Sequence, residues 1–395
     1  MTLAKRLLLG TAAAFVATSG AHAADLGLPV APSVDYVQIC SIGSFTGFIL
    51  PGSDVCFEIG GFARFQADWR DEYRVGLGAV ATVNNDELIF QGIGNIHFDA
   101  RTMTEWGLLR GYVELEGGGR QDNGGAIVEK AFLQIGGLVA GLTDSFFDPV
   151  YSDYALVGGY GGDDDRALIG YNFSVGNGVT IGFSLEDAEH FQNVGPAVVA
   201  AGMPAINTAY DASYTLPDAV ANIRVSQAWG SAAIYAVLHE NDANTGNVGT
   251  EYGYAVGASA EINLPFGMDS SFGIFGTYAD GAVAYAGLGG HDFEVVGTSI
   301  RSSTAYTIGA GFDFGLTSEV SVQLEGTYSD FDAVTNAYDY NGYNVRGSVS
   351  YTPITNLTIQ AGVFYQDWDT NYPVAVATPN DDNDFGGRLR ITRSF

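Results

Sequence analysis

Alternation of apolar and polar residues with period 2, repeated along most of the chain, constrains this sequence more than any other feature. In Val320 to Tyr328, the residues Val320, Val322, Leu324 and Tyr328 share one face, while Ser321, Gln323, Glu325 and Thr327 share the other. In Tyr306 to Phe314, Tyr306, Ile308, Ala310, Phe312 and Phe314 oppose Thr307, Gly309, Gly311 and Asp313. In Leu357 to Gln366, Leu357, Ile359, Ala361, Val363 and Tyr365 oppose Thr358, Gln360, Gly362 and Gln366. The last stretch has Phe385, Leu389, Ile391 and Phe395 on one side and Arg388, Arg390, Thr392 and Ser394 on the other. Side chains of a strand alternate between its faces, so such strands separate two media. In an open sheet the apolar face would need a second layer, and no amphipathic helix is available to cover it.

Composition narrows the medium. The chain of 395 residues is 47% hydrophobic, 13% aromatic and only 15% charged, with 54 Gly, whereas globular chains average about 25% charged residues and about 7% Gly. A mean hydropathy of +0.11 is far below that of a helical membrane protein. Lys5 and Arg6 precede an apolar stretch, Leu7 to Thr18, and then Ala21-His-Ala23. That order is expected of a secretory signal peptide over 1–23, cleaved between Ala23 and Ala24. No later segment approaches the ~18 consecutive apolar residues of a spanning helix. A membrane protein built from this chain must therefore be a closed β-barrel, because only helices and barrels satisfy their backbones in lipid. The period-2 stretch that ends in Phe395 is expected to be its closing strand. Arg393 falls on the apolar side, near the end, where a long side chain can snorkel to the interface.

The formal net charge is −29, and removal of Lys5 and Arg6 makes it more negative. Lys130 is then the sole lysine, every other cation being Arg. Such acidity argues against nucleic-acid partners. It also keeps an unfolded barrel soluble in transit. Cys40 and Cys56 lie close together in an exported chain. An oxidising periplasm favours a disulfide over two free thiols, and closing that loop is worth about 3 kcal/mol. There is no second Cys/His cluster, so neither a metal site nor a cofactor is expected.

The expected organisation is a signal peptide (1–23), a periplasmic leader with the disulfide loop (24–56) and a transmembrane β-barrel (57–395). The expected strands are 57–69, 88–102, 107–117, 127–135, 138–143, 166–175, 179–187, 219–228, 231–240, 252–264, 271–280, 304–314, 319–329, 342–352, 357–368 and 385–395. About 16 strands is an even number, as a closed antiparallel barrel requires. Short turn-forming connections such as Gly176-Asn-Gly178 and Pro353-Ile-Thr-Asn356 alternate with long polar ones such as 144–165, 188–218 and 281–303. This sorting puts every short turn on one side of a membrane. Trp69, Trp106, Tyr171, Phe173, Tyr328, Tyr351 and Tyr365 fall near strand ends on the outward parity, where interface girdles belong.

Three blocks resemble a known family. Val34-Asp-Tyr-Val-Gln-Ile-Cys40, Pro51-Gly-Ser-Asp-Val-Cys56 and Gly61-Phe-Ala-Arg64 are similar to the mature N-terminus of the rhizobial-type general porins of alphaproteobacteria, which share a cysteine pair at this spacing. Ala131-Phe-Leu-Gln-Ile-Gly-Gly-Leu138, Pro217-Asp-Ala-Val220, Trp229-Gly-Ser231 and Arg393-Ser-Phe395 also match. The resemblance implies a homotrimer of 16-stranded barrels in the outer membrane, contacting lipid and lipopolysaccharide and passing small hydrophilic solutes by diffusion. The loops depart from the family by their acidity.

In such porins the third long loop folds inward as a constriction. Here that loop is Asp144 to Asp165, with Asp144, Asp148, Asp153, Asp163, Asp164 and Asp165, and with glycines at 158, 159, 161 and 162. Aspartates there would favour cations in transit. Parity places Arg64, Arg101, Arg110, Lys130, Arg346, Arg388 and Arg390 on the inner wall. The expectation is a basic wall opposing an acidic loop. The alternative for each cation is an ion pair with an inward Glu or Asp, such as Glu58 or Asp99. Gly76-Leu-Gly78-Ala-Val-Ala81 matches a dinucleotide fingerprint but lies in a long loop with no following helix. Neither H-E-x-x-H nor G-x-S-x-G occurs, so no enzyme is expected. The competing readings are a solute-specific channel and a non-conducting structural or adhesin barrel.

Overall fold

The computed structural model describes residues 38–70, 73–75, 82–84, 87–119, 124–150, 165–188, 215–242, 249–296, 299–334, 339–370 and 381–395. A short N-terminal hairpin, β1 (Ile39–Ile42) and β2 (Phe45–Ile49), precedes the wall. The wall runs through β3 (Cys56–Arg70), β6 (Glu87–Thr104), β7 (Gly107–Gly119), β8 (Gly125–Ile135), β9 (Leu138–Asp144), β10 (Asp165–Gly176), β11 (Val179–Glu186) and β12 (Asp218–Gln227). It continues with β13 (Gly230–Asn241), β14 (Glu251–Asn263), β15 (Ser271–Asp280), β18 (Thr304–Gly315), β19 (Val320–Asp332), β20 (Tyr340–Ile354), β21 (Leu357–Thr370) and β22 (Asp381–Ser394). Two small hairpins sit in loops: β4 (Tyr73–Val75) with β5 (Thr82–Asn84), and β16 (Phe293–Val296) with β17 (Ser299–Ser302).

Each wall strand pairs antiparallel with its neighbours, and β22 pairs with β3 to close the ring of 16 strands. The closing register sets Ile391 against Phe65, Arg390 against Gln66, and Arg388 against Asp68. Closure leaves the wall no unpaired edge, the condition for a sheet in lipid. Among the described residues no helix is long and apolar enough to cross a membrane, so crossing falls to the strands.

The sixteen strands expected from alternation are all present, with ends shifted by up to four residues; β22 starts at Asp381 rather than 385. Apolar residues on one parity, such as Phe65, Ile169, Phe183, Ile234, Ile308, Leu324 and Leu389, are exposed. Polar residues on the other, such as Gln66, Asn95, Ser184, Thr307 and Glu325, are buried. This inversion of the soluble pattern is what a lipid-facing exterior and a polar lumen require. Trp69, Trp106, Tyr171, Phe173, Tyr351 and Tyr365 are exposed on the outer parity, and Trp69 packs edge-on against Phe385 across the closing seam. Arg393 donates to the Thr355 carbonyl at 2.8 Å, in the turn beside its strand end.

Two features lay beyond the alternation. The stretch 24–56, expected as a leader with the disulfide loop, contains the β1–β2 hairpin; β1 is too short to show a period. Residues 281–303, expected as a polar loop, form a single 3-10 turn (Val283–Ala286) and the β16–β17 hairpin. The turn ends at Gly287, whose φ of 73° suits glycine. Ala282, Val283, Tyr285, Ala286 and Leu288 pack on inward side chains of the wall, including Tyr235, Val237 and Phe331. One flank of the lumen therefore carries an apolar core made by its own loops.

Candidate functional site

The loop between β9 and β10 is described as far as Val150, and that root lies against the inner wall. Glu186, at the end of β11 and fully buried, accepts hydrogen bonds from Ser145 Oγ (2.6 Å), the Phe146 amide (2.9 Å) and Ser184 Oγ (2.6 Å). Asn222 on β12 donates to the Phe146 carbonyl at 2.6 Å. Arg224 donates to the same carbonyl at 3.3 Å and to that of Asp148 at 2.5 Å. The Val150 amide donates to Ser259 Oγ on β14 at 2.9 Å. The Phe146 ring rests over two glycines: a Cβ at Gly170 or Gly182 would meet it at 2.7 or 2.9 Å. Phe147 contacts Tyr235 and Tyr285 edge-on, with centroids 4.7 and 4.8 Å apart. The chain thus leaves β9 and runs inside the barrel across β11, β12 and β14.

Of the acidic residues expected in the constriction, Asp148 is buried in this root. Asp144 and Asp165 end β9 and begin β10, where both pair with Lys130, Asp165 at 3.3 Å. Asp153, Asp163 and Asp164, and the glycines at 158, 159, 161 and 162, lie outside the described residues.

The cations expected on the inner wall separate into two kinds. Arg101 and Arg110 both chelate Asp99, with Nη2–Oδ2 distances of 2.7 and 2.8 Å. Arg346 pairs with buried Glu325 at 3.1 Å, and Arg388 pairs with Asp68. Arg64 and Arg390 instead have neutral partners. Arg64 Nε donates to Thr392 Oγ1 at 3.3 Å and lies over the Phe62 ring. Arg390 donates to Gln66 Oε1 at 2.9 and 3.1 Å, while Gln66 Nε2 donates to Asp68 Oδ2 at 2.7 Å. The seam between β3 and β22 therefore carries Arg64, Arg390 and Arg388 as a ladder with the Asp68 carboxylate bonded among them.

Acids line the same wall farther round. Glu114 accepts from Tyr112 Oη at 2.6 Å and from Asn95 Nδ2 at 2.7 Å, and Asn95 also reaches Glu116 at 3.4 Å. A bulge in β8 shifts the register between Glu114, opposite Lys130, and Leu115, opposite Val128; Glu129 is the extra residue. Sequence reasoning missed Glu114, Glu116, Gln66, Asn222 and Arg224. Parity alone puts Glu114 and Glu116 on the Arg110 side of β7, which was the available signal.

The disulfide joins Cys40 and Cys56, with Cα atoms 5.8 Å apart.

Known proteins share this architecture. The sequence profile described as "Porin subfamily" matches residues 28–388. Porin Omp2b of Brucella canis is 25% identical over 414 aligned residues, covering 99% of each chain. The outer membrane channel DcaP of Acinetobacter baumannii superposes with a TM-score of 0.70 at 18% identity, over 88% of this chain and 99% of its own. The anion-selective porin from Comamonas acidovorans superposes with a TM-score of 0.55 at 12% identity, over 87% and 100%. With a closed 16-stranded barrel, a loop root after β9 that lies against the inner wall and a profile match over most of its length, this chain belongs to the porin subfamily and is an integral outer-membrane channel.

Proposed function

We propose that the channel passes small hydrophilic solutes and ions by passive diffusion, and that charge selection occurs along the β22–β3–β6–β7 arc. The observation that carries this reading is the contrast on the inner wall. Arg64 and Arg390 present guanidinium groups held by neutral partners, a short way round from Glu114 and Glu116. The opposite flank supports the loop root and the apolar core. Water and solutes would then follow the charged arc, where cationic and anionic groups set a transverse field. Apolar solutes, unable to replace ordered water in that field, would pass slowly. Acidic loops at the outer rim would concentrate cations, and the arginine pair would temper that preference. The acids of residues 151–164 would add to the field from the loop.

The chain would act as a homotrimer in contact with outer-membrane lipid and lipopolysaccharide, a proposal that native mass in mild detergent tests directly. Family membership implies a channel rather than a catalyst.

Liposome swelling with sugars of rising size tests the diffusion reading. Rates that fall smoothly with solute size and rise linearly with concentration are expected. Saturation by one sugar would instead support a solute-specific channel. A protein that inserts yet gives no steps in planar bilayers would contradict the channel and support a structural barrel.

A further inference from the structure

We propose that the β1–β2 hairpin is a disulfide-held constriction at the periplasmic mouth of the pore. β22 pairs with β3 only from Phe62 onward, and the Phe395 backbone bonds to Gly61. The rest of that β3 edge, at Cys56 and Phe57, is taken by Ile49 and Phe48 of β2. The hairpin thus joins the wall at the end where the short turns lie, the periplasmic end of a porin.

Its path then leaves the wall. In a flat sheet β1 would be the second strand out from β3, about 9.5 Å away at the usual strand spacing. Cys40 on β1 instead stands 5.8 Å from Cys56, Cα to Cα. Cys56 opposes Arg101 in register, and Arg101 bonds to Asp99 on the inner face, so the Cys56 side chain also points inward. The hairpin must therefore fold back over the lumenal side of β3. A Cβ at Gly47 would lie 2.4 Å from the Phe57 carbonyl, so this fold-back needs glycine there. Beyond β3, buried Phe45 lies under the Arg101 guanidinium of β6, 4.0 Å from its ring centroid. Asp99 holds that guanidinium together with Arg110. The pad on which Phe45 rests is thus fixed from two strands, and the hairpin spans the inner faces of β3 and β6.

The disulfide makes this constriction responsive to a dithiol reductant. One thiolate of the reagent bonds to Cys40 Sγ, the less buried cysteine, and Cys56 leaves as thiolate and takes a proton. The second reagent thiol then displaces Cys40 and the reagent departs as a cyclic disulfide, so two electrons pass to the protein. The barrel keeps its own ladder; only the hairpin loses its covalent tether.

The test uses the full-length porin in planar bilayers before and after dithiothreitol, with maleimide labelling to count thiols. Two labelled thiols per chain with a shift to higher unitary conductance, reversed on reoxidation, are expected. The Cys40→Ser/Cys56→Ser variant should conduct at the raised level and ignore the reductant. Unchanged conductance in protein with two labelled thiols, or a double variant at the original level, would overturn the proposal. This rests on the channel reading, and the two fail differently: a pore that conducts but ignores reduction counts against the hairpin alone.

Discussion

Arg390 and Arg388 stand two residues apart on one strand face, yet their electrostatic surroundings differ. Arg388 faces Asp68 in register and pairs with it, whereas Arg390 faces Gln66 and donates to its amide oxygen. Gln66 is buried and also donates to Asp68, so a neutral side chain separates the second guanidinium from the carboxylate. Gln66→Glu should give Arg390 an ion-pair partner and move ion selectivity toward cations, by a shift comparable with that of Arg390→Ala. Reversal potentials under a salt gradient measure both, and an unchanged value in Gln66→Glu would remove Gln66 from the account. Parity alone identified Arg64, Arg388 and Arg390 as inward. It did not tell which of them are paired, because that depends on cross-strand register. Sliding β22 by two residues would set Arg390 against Asp68 and Arg388 against Arg70 while leaving every side chain on its face.

At the scale of elements, the loop root owes its position to glycines in the wall. Phe146 occupies space that a side chain at Gly170 or Gly182 would fill. Gly182→Val should displace the root and change unitary conductance, whereas Ile181→Val, its lipid-facing neighbour, should leave it unaltered. Equal conductance in both variants would separate the root from the permeation path. The loop of residues 281–303 is held by a buried polar set. His239 Nδ1 and Asp218 Oδ1 are 2.7 Å apart, Tyr285 donates to Asp218, and Asp292 accepts from the Val283 amide at 2.6 Å. Burial pushes the Asp292 carboxyl up to about 6, from an ordinary 3.8, against the opposing pull of His239. Because the folded-state value is the higher one, this group favours the docked loop below the ordinary value. That contribution is lost as pH rises through about 6. Amide exchange in 281–303, corrected for intrinsic rates, should show more protection at pH 5 than at pH 7.5. Asp292→Asn should flatten the difference; an unchanged pH dependence in that variant would assign it elsewhere. Strands of ten residues announced themselves by alternation. The β1–β2 and β16–β17 hairpins did not, since four or five residues hold too few periods and their positions are set by contacts distant in sequence.

For the whole molecule, the inside-out distribution of polarity was legible because lipid outside and water inside impose it on every strand at once. A cation on the lipid face near the midplane costs about 2–4 kcal/mol, and the inward parity of Arg64, Arg101, Arg110, Arg346, Arg388 and Arg390 follows that cost. The division of the lumen was not legible. Which flank is packed depends on where Phe146, Phe147 and Tyr285 meet the wall, and the alternation of β10 to β15 resembles that of β20 to β22. On the proposed reading, permeation follows the arginine-bearing arc beside β3 and β22. The most direct test is the reversal potential of single channels under a salt gradient, compared between the natural chain and Arg64→Ala/Arg390→Ala. A clear shift toward cation selectivity is expected in the double variant. An identical reversal potential in the two proteins would contradict it.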